Sequence, residues 1–246
     1  MIACHHQYSM HAGKTMPFLG MDTEEFYHHN CKHHPEKMQA WRHIDPPIYY
    51  AFNQQGFRSD EFDNTPGIMF LGCSHTVGIG VAQSLTWPVL VSKKFNRACW
   101  NLAIGGGAMD TCFRMCYHYI DQLNPDLVVL LCPPEERIEW HCDLGVAINV
   151  NTLLPNRPPD EWKTVWDKIF PLWIQNQENV TMNTQKNLMA IKHLCELNSK
   201  PLLVIDQSVR EQHHRDHGRD LNHLGINSSR LLADWVIKSI QSNHWL

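Results

Sequence analysis

Three short stretches of this chain carry residues that could do acyl-transfer chemistry together. The first is Gly72-Cys73-Ser74-His75-Thr76-Val77-Gly78, where Ser74 follows the apolar run Ile68 to Leu71. The second is Asn101-Leu102-Ala103-Ile104-Gly105-Gly106-Gly107, and the third is Asp220-Leu221-Asn222-His223, where a carboxylate stands three residues before an imidazole. A serine hydroxyl is a weak nucleophile until a base takes its proton, and the base works best when a carboxylate fixes its tautomer. Backbone N–H groups of a glycine turn can meet the oxyanion that develops. Taken singly, each stretch has a plainer reading. A serine after a strand commonly caps a turn, and a histidine ahead of a helix commonly sits at the surface. In this order they supply a nucleophile (Ser74), an oxyanion donor somewhere in the run Gly105 to Gly107, and an orienting pair (Asp220, His223).

With these blocks in view, the chain resembles the SGNH hydrolases, also called GDSL esterases and lipases, from about Tyr50 to the C-terminus. Asn53-Gln54-Gln55-Gly56-Phe57-Arg58 is similar to the run that leads into the first strand of such domains. The resemblance implies a three-layer α/β/α sandwich with a central parallel sheet, flavodoxin-like in topology. It further implies a Ser74, His223, Asp220 triad, an oxyanion hole from the N–H groups of Ser74 and Gly106, and no cofactor and no metal in the site. The expected reaction is hydrolysis of a small acyl ester, with O-acetyl groups on carbohydrate among the candidates.

The sequence departs from that pattern at two places. Cys73 stands where the family has aspartate, and the block after the third strand reads Leu131-Cys132-Pro133-Pro134-Glu135-Glu136-Arg137, with no asparagine. Proline lacks an N–H and an ionised glutamate only accepts, so neither replaces an amide donor. Either the oxyanion hole is one donor short or Arg137 completes it. Glu135 and Arg137 are candidate substrate-binding residues, with Glu136, Glu139 and Trp140 as further candidates for the same pocket. Cys73 as nucleophile is the minor alternative, since neighbours at a strand end point in opposite directions. The departures also support a second reading, a degenerate domain kept as a carbohydrate-binding or interaction module.

Positioning these groups requires alternating strands and helices. Ile68 to Leu71, Ala98 to Ile104, Leu127 to Cys132 and Pro201 to Asp206 are largely apolar runs of the kind found in buried parallel strands. Thr86 marks the start of a helix through Phe95 with Pro88 in its first turn. Met109, Phe113, Cys116, Ile120 and Leu123 recur at helical spacing over Ala108 to Leu123. Thr184 to Leu197 and Ile226 to Ser242 read as further helices, and Gln207 to Asn222 as a polar loop that delivers Asp220 and His223. Leu144 to Val150 reads as extended and Pro155 to Pro159 as turn-rich. Trp162, Trp166, Ile169 and Trp173 form a helical stripe within what reads as an insertion over 135–180; such a stripe is core in the plainer reading, and a wall or lid for the crevice is the minority alternative.

Residues 1–47 read as an arm that packs on or flanks a domain spanning 48–246. Eight of the 17 histidines lie before Asp45, among them His5, His6, His28, His29, His33 and His34. Their spacing with Cys4 and Cys31 fits no established zinc pattern, which favours a wrapping segment over a metal site. Arg58 could bind a substrate carboxylate or sugar, but tying the arm to the sheet is the better expectation. At 246 residues, with 43% hydrophobic and 19% charged residues, the chain has the composition of a packed globular domain. A net charge of −4 offers no electrostatic footprint for nucleic acid or an anionic membrane. The Met1 to Met16 stretch lacks the charge and apolar core of a signal peptide, and no run reaches the roughly 18 apolar residues of a membrane span. Nine cysteines, an odd number scattered through strand and helix patterns, fit free thiols in a reducing compartment, and the cytoplasm is the expected location.

Overall fold

The computed structural model describes residues 6–42, 47–63, 65–141, 147–150, 168, 171–173 and 175–246, the side chains of 140, 141 and 147–150 excepted. Four apolar runs form the central sheet: β1 (Gly67–Leu71), β2 (Ala98–Asn101), β3 (Leu127–Leu131) and β4 (Leu202–Ile205). The spatial order is β2-β1-β3-β4, and every pairing is parallel, with Phe70 opposite Asn101 and Leu71 opposite Leu130. A strand buried on both faces must be apolar at consecutive positions, which is why β1 and β3 carry no polar side chain.

Strand alternation sorts the core into two layers. Met69, Leu71, Val128 and Leu130 point to one face, where they meet α5 (Met109–Leu123) and α6 (Gln177–Leu197) through Met115, Cys116, Ile191 and Cys195. Ile68, Phe70, Val129 and Leu131 point to the other, where Trp87 and Val91 of α4 (Trp87–Phe95) and Leu232, Val236 and Ile240 of α8 (Ile226–Ser242) cover them. The result is the three-layer α/β/α arrangement. α4 and α5 end on left-handed Asn96 and Asn124, where asparagine tolerates positive φ better than most residues.

Several boundaries differ from the sequence expectations. β2 stops at Asn101 rather than Ile104, because the Asn101 side chain turns back to accept from the Ala103 N–H at 3.2 Å and donate to the Thr76 carbonyl at 2.8 Å. α6 begins seven residues before Thr184, capped by Asn176, whose side chain accepts from the Asn179 N–H at 3.2 Å. Its first turns are largely polar, so hydrophobic spacing does not reveal them. The expected loop after β4 contains α7 (Gln207–Gln212), started by Asp206 accepting from Val209 at 3.0 Å. The helical stripe at Trp162, Trp166 and Ile169, the turn at Pro155 to Pro159, and Leu144 lie outside the described residues. Ala147–Val150 is extended and pairs antiparallel with Ile138–His141. Trp173 donates through Nε1 to the Glu136 carbonyl at 3.2 Å.

The N-terminal segment contains α1 (Glu24–His33), capped by Thr23, and α2 (Pro35–Arg42). Thr15–Met16 pairs antiparallel with Tyr50–Ala51. Tyr8, Leu19, Met38, Trp41, Tyr50 and Phe57 are buried in the same core as Met69 and Leu71. Arg58 reaches the carbonyls of Val77, Gly78, Tyr49 and Val81 and lies 4.4 Å over the Tyr50 ring. It therefore ties this segment to the turn after β1, and burial lowers its pKa to about 10. Among the described residues no group of three or more His, Cys, Asp or Glu side chains is arranged to hold a metal ion, and no helix is long and apolar enough to cross a membrane. Cys31, Cys73, Cys99, Cys112, Cys116, Cys132 and Cys195 are free thiols.

Candidate active site

Ser74 opens α3 (Ser74–Val77), a single turn that starts where β1 ends. The sequence reading carries the chain from Ser74 toward a later helix; the turn begins at Ser74 itself because Thr76 and Val77 donate back to the Cys73 carbonyl at 2.8 and 3.0 Å. Gly72 makes this turn possible. A Cβ at that position would lie 2.3 Å from Thr76 Oγ1, closer than any side chain tolerates. Cys73 is fully buried and does not line the cavity at Ser74.

The Asp220–His223 loop is held against this turn from below. Gly80 approaches the loop closely: Arg219 donates its N–H to the Gly80 carbonyl at 2.8 Å, and a Cβ on Gly80 would meet Arg219 N at 2.9 Å. Gly80 also takes φ +78°, a second reason for glycine there. Leu221 adopts φ 56°, uncommon for a branched side chain, with its N–H on the Gly218 carbonyl at 2.9 Å. Asp220 Oδ1 accepts from the N–H groups of Asn222 and His223, each at 3.1 Å, and so fixes the loop as an Asx turn.

His223 Nδ1 contacts Asp220 Oδ2, and Nε2 lies 2.7 Å from Ser74 Oγ. A sequence separation of 149 between Ser74 and His223 is thus closed to hydrogen-bond distance. With Nδ1–H donated to the carboxylate, Nε2 presents its lone pair to the Ser74 hydroxyl. Burial raises the Asp220 carboxyl, but hydrogen bonds from the His223 ring and from two backbone N–H groups outweigh it, and its pKa is lowered from the ordinary 3.8. His75 packs its ring 4.9 Å from that of His223. Burial of His75 holds its pKa well below 6.5, and the charges of His223 and Arg210 add to the effect.

Ser74, His223 and Gly106 share a cavity of about 440 Å³ with Arg137. Within the glycine run, the Gly105 N–H donates to Tyr8 Oη at 3.1 Å and the Gly107 N–H to the Ile104 carbonyl at 2.9 Å. Gly106 is left with no partner for its N–H among the described residues. Of the two substrate-binding candidates the cavity takes Arg137 and not Glu135. Glu135 is exposed, faces a separate cleft beside Arg210, and accepts from Gln177 at 3.4 Å. Glu136 lines that second cleft as well. Glu139 is buried in an ion pair with Arg114 at 2.6 Å, a structural tie between α5 and the strand at Ile138–His141. The side chain of Trp140 lies outside what is described.

The opposite wall comes from residues that carry no motif. Gln7, Tyr8, His11, Leu19, Gly20 and Met21 line the cavity from the N-terminal segment. Gln7 donates through Nε2 to the Gly105 carbonyl, so this segment grips the glycine run at both its N–H and its C=O. Burial raises the Tyr8 pKa to about 12, which keeps the hydroxyl protonated. The segment is in turn latched to the loop that carries Asp220 and His223. Arg219 donates to both Asp22 oxygens, at 2.9 Å from Nε and 2.7 Å from Nη2, and Tyr50 Oη donates to Asp22 at 2.6 Å. Tyr50 Oη also accepts from the Gly80 N–H at 2.8 Å. The only signal for this wall in the sequence is compositional, an aromatic and histidine-rich stretch without period.

The sequence matches no protein-family model and no curated protein. Among solved structures the chain is similar to the psychrotrophic esterase EstA from Pseudoalteromonas sp., at 12% identity and a TM-score of 0.37, over 74% of this chain and 99% of that one. A second is the carbohydrate esterase family 2 enzyme of Corynascus thermopiles (Myceliophthora fergusii), at 17% identity and a TM-score of 0.40, over 74% and 67%. A third is the acetyl xylan esterase Est2A from Butyrivibrio proteoclasticus, at 12% identity and a TM-score of 0.40, over 74% and 64%.

Proposed function

We propose that the protein is a serine esterase of the SGNH type that hydrolyses small acyl esters, O-acetyl groups on carbohydrate included. The observation that carries this reading is the Ser74 Oγ to His223 Nε2 distance of 2.7 Å, with Nδ1 of the same ring on buried Asp220, inside a cavity of substrate size. In the reaction, His223 Nε2 takes the Ser74 proton as Oγ attacks the ester carbonyl. The N–H groups of Ser74 and Gly106 receive the oxyanion, and Asp220 stabilises the imidazolium. His223 then gives its proton to the departing alcohol, leaving an acyl-serine. Water, deprotonated by the same Nε2, attacks that ester and releases the acid and free Ser74.

Hydrolysis of 4-nitrophenyl acetate and butyrate by wild type and Ser74→Ala, with labelling by a serine-directed fluorophosphonate, tests the proposal. The expected result is turnover and labelling in the wild type and loss of both in the variant. A folded wild type that neither turns over nor labels would overturn the esterase and favour a carbohydrate-binding module, the reading that Pro133 and Pro134 in place of an amide donor support.

A further inference from the structure

Arg137 stands apart from the other arginines that pack into this protein. Arg58 donates to four carbonyls, with only its Nε left unpartnered, while Arg114 pairs with Glu139, Arg219 with Asp22 and Arg97 with Asp126 at 2.5 Å. Arg137 is half-buried, and among the described residues neither its Nε nor its Nη1 has a hydrogen-bond partner, although both are shielded from solvent. No carboxylate among the described residues pairs with it. Its sequence neighbours Glu135 and Glu136 face the second cleft, and Asp220 is committed to His223. The cavity that Arg137 lines with Ser74 and His223 carries no acidic residue on its described wall.

A guanidinium withdrawn from water without a counter-charge is costly to keep, and its field is strong because little solvent screens it. Its planar donor fork matches a carboxylate in two parallel hydrogen bonds. We infer that Arg137 is an anion receptor and that the preferred substrates are esters bearing a carboxylate, which this arginine binds while the ester carbonyl lies at Ser74. The inference rests on the esterase reading for its catalytic arm and deepens it by naming the substrate class. The carboxylate sits either on the acyl group, as in a dicarboxylic half-ester, or on the alcohol, as in an acetylated hydroxy acid.

Two matched pairs separate these sources. Mono-4-nitrophenyl glutarate is compared with 4-nitrophenyl valerate for the acyl side, and 3-acetoxybenzoate with phenyl acetate for the alcohol side, spontaneous hydrolysis being subtracted. In one pair the wild type should favour the charged member in kcat/KM by roughly tenfold or more, the factor expected of a charge-assisted hydrogen bond. Arg137→Gln should abolish that preference, mainly through KM, and Arg137→Lys should keep part of it. Because Arg137→Gln removes an unpaired charge, its Tm should equal or exceed that of the wild type, which separates lost recognition from lost folding. Equal use of charged and neutral members in both pairs by an active wild type would overturn the inference. So would an equal fall on both members in Arg137→Gln, the signature of an oxyanion donor. If the wild type turned over no ester, the esterase reading would fail on its own, and calorimetry of monoethyl glutarate and of 3-acetoxybenzoate with Ser74→Ala and with Ser74→Ala/Arg137→Gln would still decide the receptor. Binding that vanishes in the double variant supports it; equal binding, or none to either protein, overturns it.

Discussion

The two walls of the cavity are built on opposite principles. The wall of Ser74 and Gly106 follows the ends of two strands of a parallel sheet, where buried apolar runs on both faces fix the backbone, and His223 is fastened to it by the Asp220 turn and the Gly80 carbonyl. The wall of Gln7, Tyr8, His11 and Leu19 to Met21 has almost no regular structure and is held by side chains to the first wall at Gly105 and Asp22. Groups that must meet within hydrogen-bond distance come from the rigid frame, and groups that shape the space for a ligand come from the wrapped segment. Such a division lets one frame serve many substrates.

Breaking the frame wall should have the largest effect. On the proposed mechanism, Ser74→Ala and His223→Ala should each lower kcat for ester hydrolysis by about 10⁴-fold or more, measured on 4-nitrophenyl acetate, since a nucleophile and its base act as a unit. Next comes the latch between the walls. Asp22→Asn leaves the largely shielded Arg219 without its buried carboxylate, an expected loss of about 3 kcal/mol in urea unfolding. The double variant Asp22→Asn/Arg219→Met should recover part of it. If Asp22→Asn unfolded at the wild-type midpoint, the two walls would be independent.

pH supplies a smaller lever. Because the folded-state pKa of His75 lies below 6.5, the unfolded chain binds a proton that the native state refuses in the interval beneath pH 6.5. Stability therefore falls as pH drops through that interval, by at most about 1.4 kcal/mol per pH unit for one proton. His75→Phe should flatten the slope there. The Asp220 contribution has a separate window. Its pKa is depressed, so its stabilisation is present above pH 3.8 and is lost on further acidification. The smallest effect belongs to the wrapped wall: Tyr8→Phe removes one hydrogen bond to Gly105, worth about 1 kcal/mol, and should change KM more than kcat.

The sheet and the catalytic candidates were legible because each rests on a local signal. Continuous apolar runs mark β1 and β3, glycines mark turns that backbones approach closely, and Asp220 and His223 lie within one Asx turn. Arg137 was legible as a candidate, but the split between it and Glu135 was not, since both lie in one short turn whose side chains enter different clefts. Glu139 reads as a pocket residue until its partner Arg114, 25 residues away, is known. The helices α1, α2 and α7 are short, polar or capped by single residues, and hydrophobic period says little about such elements. Tyr8 and Gln7 act through contacts 97 and 98 residues distant, which no window along the chain contains.

The bond from Arg219 to Asp22 spans 197 residues, nearly the whole chain. A ribosome has released β1, β2, β3 and the glycine turns well before it releases Arg219, so the segment around Asp22 must wait, its aromatic residues uncovered, for a partner made 197 residues later. Contacts of such sequence separation form late because the loop they close is long. On dilution from denaturant, helix signal should therefore return before ester hydrolysis does, and the interval between the two is the time the chain spends with a complete frame and no latch.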